Sequence, residues 1–100
     1  MSIYRKNHKM NKKPGKTLDE CEFLYKVNKQ SLFNTGGVTT YYFKEITTDK
    51  IWKAHVDTAQ KVENYKSLIE GELYGLITMI YKGIENIDAT IKPFPCNYSN

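Results

Sequence analysis

One hundred residues, 40% hydrophobic and 26% charged, suffice for one domain with one core, and exclude a two-domain enzyme with a cleft between lobes. The net charge of +4 averages two unlike parts: Arg5, Lys6, Lys9, Lys12, Lys13 and Lys16 stand without an acid in residues 1–16, and the rest of the chain is slightly acidic. No apolar run approaches the roughly 20 residues of a membrane span. Cys21 and Cys96 have no metal-ligand spacing, and no secretory leader is read. The sequence therefore predicts a cytoplasmic protein with no membrane, metal or cofactor.

Residues 1–16 carry no periodic apolar positions and close on Pro14-Gly15, which predicts a flexible basic arm followed by a domain over 17–100. Thr17 to Glu20 have the spacing of a helix-opening capping box. Beyond them Phe23, Tyr25 and Val27 alternate with Glu22, Leu24 and Lys26, and the aromatic and β-branched content favours a strand.

Asn34-Thr-Gly-Gly37 is a turn signal between Ser31–Phe33 and Val38–Ile46, both suited to strands, and predicts a hairpin. In the second strand Thr39, Tyr41, Phe43 and Glu45 share one face, while Val38, Thr40, Tyr42, Lys44 and Ile46 share the other.

From Thr47, Thr48 or Asp49 as a cap, apolar residues recur in heptads to Ile87: Trp52, Ala59, Lys66, Leu73, Ile80 and Ile87 at a; His55, Val62, Ile69, Leu76 and Gly83 at d. This spacing predicts one long helix over 49–87, about 58 Å at 1.5 Å per residue, or a helical hairpin broken near Gly71 or Gly75. Ala89–Lys92 reads as a short edge strand, stopped by Pro93 and Pro95. The expected fold is α+β: a β-hairpin or small antiparallel meander packed on that helix or helical hairpin, with a disordered basic N-terminal arm.

Catalytic motifs are lacking. On a helix His55 and Asp57 point about 200° apart, so the acid cannot orient the base, and no nucleophile stands nearby in sequence. Glu63, Glu70 and Glu72 read as a solvated face, and Gly36-Gly37 lacks the setting of a phosphate loop. Two non-enzymatic readings follow.

The first is nucleic-acid binding. The arm cations neutralise phosphates, Tyr41 and Phe43, beside Phe23 or Tyr25, stack unpaired bases, and Lys26, Lys29 and Lys44 hold the backbone of RNA or single-stranded DNA; the competing fate of these rings is the core. The second is a regulator or inhibitor that docks on a protein target through the helix face. In either case Trp52, His55, Val62, Ile69, Leu73, Leu76, Ile80 and Ile87 form a seam that predicts a homodimer. The abundance of Asn, Lys, Ile and Tyr is the usage of an AT-rich genome and suits a phage or mobile-element regulator.

Overall fold

A computed structural model describes residues 12–29, 37–57 and 62–96. It contains β1 (Lys12–Lys29), β2 (Val38–Glu45), β3 (Ile51–Asp57), a one-turn helix α1 (Val62–Tyr65), β4 (Leu73–Tyr81), β5 (Ile84–Ile87) and β6 (Phe94–Pro95). Neither the expected long helix nor the helical hairpin is present: the described residues of 49–87 form three strands and the single turn α1. Alternation explains the difference. Trp52, Ala54 and Val56 are buried while Ile51, Lys53 and His55 are exposed, a period of two that the heptad positions Trp52 and His55 cut across.

Turn chemistry precedes β4 and separates β2 from β3 and β4 from β5. Gly71 has φ 91°, a backbone no helix interior accepts. Lys82 and Gly83 have φ 53° and 79°, placing positive φ at both central residues of the β4–β5 hairpin, as a type I′ turn demands. Asp49, expected as a helix cap, lies at φ 67° in the loop between β2 and β3. That loop is closed by Asp49 N–H to the Glu45 carbonyl at 2.8 Å and Glu45 N–H to the Lys50 carbonyl at 2.8 Å.

All pairings are antiparallel, in the order β3-β2-β1-β4-β5, with β6 pairing β4 at Tyr74 and Gly75. β1 is shared by two halves: its N-terminal part pairs with β4, and from Cys21 onward it pairs with β2. The register slips between Pro14 and Thr17, between Leu18 and Cys21, and between Phe23 and Tyr25. Each slip adds a bulge that bends the strand and sharpens its twist. The sheet curls until β3 and β5, the two ends of the order, touch. No ladder joins them among the described residues, so the result is a partly open five-stranded barrel.

The barrel encloses Leu18, Cys21, Phe23, Tyr41, Phe43, Trp52, Ala54, Val56, Leu76 and Ile87, with Tyr65 of α1 against one end. The Tyr65 ring lies 4.8 Å from that of Tyr41.

Residues expected in the arm belong partly to the sheet. Lys12, Lys13 and Pro14 pair with Tyr81, Ile80 and Met79, and the Lys12 ammonium reaches the Asp88 carboxylate at 3.0 Å. At the first bulge Gly15 has no room for a Cβ beside Thr78, and Lys16 N–H donates to the Thr78 hydroxyl at 2.8 Å. Arg5, Lys6 and Lys9 lie outside the described residues. So does most of the expected hairpin turn, although Lys29 and Val38 pair on either side of it and Gly37 has φ 72°.

Ala89–Lys92 is a turn rather than a strand. Asp88 accepts from Thr90 N–H at 3.0 Å and from the Thr90 hydroxyl at 2.6 Å. The last strand follows at Phe94–Pro95, on a sheet edge where proline is tolerated. Among the described residues no helix is long and apolar enough to cross a membrane.

Candidate nucleic-acid interface

The outer face of β1, β2 and β3 is built by one irregularity. Phe23 pairs with Phe43, but Tyr25 pairs with Tyr42, so Leu24 is the extra residue of a bulge. An unbroken alternation would have sent Tyr25 and Val27 into the core behind Phe23. The bulge instead turns Tyr25, Val27 and Lys29 outward and leaves Lys26 and Asn28 opposite Tyr41 and Thr39 on the core side.

Three rows cross β1, β2 and β3 in register: Lys29, Val38 and Asp57; Val27, Thr40 and His55; Tyr25, Tyr42 and Lys53. A fourth holds Glu22, Lys44 and Ile51, so that a carboxylate also stands on this face beside Lys44. Tyr25 is 48% exposed. Its ring lies 4.8 Å from that of Tyr42 at an interplanar angle of 30°, and the Lys53 ammonium stands 5.8 Å from the Tyr42 ring. His55 Nδ1 and the Thr40 hydroxyl are 3.0 Å apart. Lys44 makes an ion pair of 3.6 Å with the exposed Asp49. The exposed Tyr25 ring and the half-buried Tyr42 ring thus sit among three lysines and Glu22, with Val27, Val38 and Ile51 as exposed apolar flanks.

The sequence located the strand but chose its other face. Tyr41 and Phe43 are 2% and 0% exposed; they hold the core and stack no ligand. Burial also pushes the Tyr41 phenol upward. Of the cations expected beside them, Lys29 and Lys44 lie on the outer face, Lys26 on the opposite side, and Lys12 is engaged by Asp88. Lys16 belongs to the bulge near Trp52, its ammonium 5.8 Å from the indole. Lys13 is exposed on β1. Tyr25 was expected beside Tyr41 and Phe43 rather than beside Tyr42, and Tyr42 and Lys53 were missed. Alternation placed Tyr42 opposite Tyr41, but nothing in the sequence marks the bulge that brings Tyr25 to its side.

The residues of the expected dimer seam are dispersed. Trp52, Leu76 and Ile87 are in the core, His55 and Ile69 are exposed, Leu73 and Ile80 are half-buried in β4, and Val62 lies in α1. No continuous stripe survives to pair with a second copy.

Glu45 organises the loop at the end of the barrel. Its carboxylate accepts from the Trp52 indole N–H at 3.1 Å, from the Thr48 hydroxyl at 2.9 Å and, more weakly, from the Thr47 hydroxyl at 3.4 Å. The indole bond, with the threonines and the charge of Lys16, outweighs burial and holds its pKa below the ordinary value. Lys50 covers the indole with its ammonium at 4.1 Å. Beside Glu45 an open depression of about 450 Å³ is lined by Thr17, Asp19, Glu20 and Thr47, and its carboxylates repel phosphate. Cys21 is a free, buried thiol whose pKa is pushed up to about 12, by burial first and then by Glu45 and Asp19. It is inert as a nucleophile.

Among the described residues no cluster of His, Cys, Asp or Glu could hold a metal ion. No family model matches this chain, and neither a curated protein nor a solved structure matches it.

Proposed function

We propose that the protein is a non-catalytic binder of single-stranded nucleic acid, RNA or DNA, that acts as a small regulator. The observation that carries the reading is the exposed Tyr25 ring, stacked on the half-buried Tyr42 and set among Lys29, Lys44 and Lys53 on a sheet face that the core does not need. Unpaired bases stack on aromatic rings with little regard to identity, each base contributing about 1–3 kcal/mol, and the lysines neutralise phosphates and release counterions. The architecture agrees with the site. A bent first strand shared by two halves, a meander to β3, a short helix and a returning β4–β5 hairpin trace the partly open Greek-key barrel of OB-folds, whose second and third strands present the face used for oligonucleotides. That likeness is one of architecture alone and stands second to the site. A cytoplasmic setting suits the two free thiols.

Fluorescence anisotropy of a labelled single-stranded oligothymidylate tests the reading. Affinity should fall as salt rises, with a log–log slope of roughly −2 from three face lysines at about 0.7 each, steeper if Arg5, Lys6 and Lys9 also bind phosphates. Lys29→Ala with Lys53→Ala should flatten the slope by roughly 1.4 units, since each neutralised phosphate accounts for about 0.7. Absence of binding at low salt, or affinity indifferent to salt, would reject it and favour an apolar contact with a protein target.

A further inference from the structure

We infer that the ring pair presents one stacking surface, the outward face of Tyr25, and that this face takes a single unpaired base at the margin of the sheet, with Tyr42 as its backing ring. The inference rests on the nucleic-acid reading and names the residue that recognises a base within it. Centroids 4.8 Å apart with the planes tilted by 30° bring the two rings close with one face of each turned toward the other. Both rings therefore have one face left. Tyr42 lies between Tyr25 on β1 and Lys53 on β3 in the same row, and the Lys53 ammonium stands over the Tyr42 ring. The gap between the two rings is too narrow for an ammonium, so Lys53 occupies the side of Tyr42 away from Tyr25.

The free face of Tyr25 looks toward the other side of β1. There the ladder to β4 ends at Glu22 and Leu73, and the last backbone bonds are those of Phe23, to Glu72 at 3.0 Å and from Gly71 at 2.8 Å. Among the described residues no strand pairs with β1 beyond Phe23 on that side. The row thus reads ammonium, ring, ring and open face, and a base added at the open end extends the stack. Lys53 draws on the π-density of Tyr42 and fixes that ring, so it supports the platform besides attracting phosphate. A duplex has its bases already stacked and offers none to Tyr25.

Two ligands with the same phosphates separate base stacking from charge: oligothymidylate and an abasic oligonucleotide of equal length. The wild-type chain should prefer the thymidylate by about ten-fold. Tyr25→Leu, which keeps apolar bulk on the strand but removes the ring, should lower thymidylate binding to the abasic level and leave abasic binding unchanged. Tyr25→Phe should retain the preference. Unchanged emission from the buried Trp52 reports that each variant is folded. If Tyr25→Leu keeps the preference while Tyr42→Leu abolishes it, the stacking surface has been misplaced although the protein still binds nucleic acid. If the wild type binds neither ligand, the functional reading fails and this inference falls with it.

Discussion

At the scale of single residues, the buried carboxylate of Asp88 shows how the barrel ties down its first strand. Burial alone would raise its pKa, but the two Thr90 hydrogen bonds and the Lys12 ammonium outweigh that and hold it below the ordinary value. A depressed folded pKa means stabilisation that is complete above the unfolded value, near 3.9, and is lost as pH falls through the folded value. Glu45 titrates with the same sign. Urea melts should therefore give constant stability from neutral pH to about 5 and declining stability below 4. Asp88→Asn should reduce that decline; an unchanged acid slope would show that the carboxylate is not held as described. Lys12→Met should cost about 1 kcal/mol at neutral pH, because the ammonium is part-exposed and Thr90 remains as a partner. Lys12 reads in the sequence as one cation of a basic run. Its partner lies 76 positions away, and no local pattern announces it.

At the scale of elements, the legible strands were those with clean alternation beside a turn. Val38–Glu45 was readable from the Gly36-Gly37 pair before it and from its aromatic and β-branched content, and Phe23 to Val27 from similar content. Two features defeated the reading of the rest. A period of 3.5 and a period of 2 share positions over short apolar segments, so Trp52, Leu76 and Ile87 satisfied a heptad pattern although each belongs to a different strand. The Leu24 bulge, which re-aims half of β1, is an apolar residue with no sequence signature. The hairpin turn at Lys82-Gly83, by contrast, was available: an X-Gly pair between Thr78–Tyr81 and Ile84 fits a two-residue hairpin, but the heptad spacing absorbed its glycine. Lysine is a poor residue for φ 53°. Lys82→Asn, which supplies the preferred Asn-Gly pair, should raise stability by about 0.5 kcal/mol in equilibrium unfolding. A loss of stability would place the turn in another conformation.

At the scale of the molecule, the strand-built barrel changes what a core mutation means. Leu76 is 1% exposed and packs with Leu18, Phe43 and Trp52 in one cluster. Leu76→Asp buries an unpaired charge at a cost of several kcal/mol, comparable with the 5–15 kcal/mol that holds a domain together. It should abolish the cooperative melt and shift Trp52 emission to the red at every protein concentration. A folded variant that merely lost self-association would restore the helical seam.

The central claim is that one face of β1–β2–β3 binds single-stranded nucleic acid while the other holds the core. Backbone amide chemical shifts, followed as unlabelled oligothymidylate is added to the full-length protein, address it residue by residue. The account predicts that the largest changes fall on Tyr25, Val27, Thr40, Tyr42, Lys53 and His55, with small ones on the β4–β5 hairpin. Changes centred instead on Ile84, Ile87 and Phe94, or no changes at saturating ligand, would contradict it.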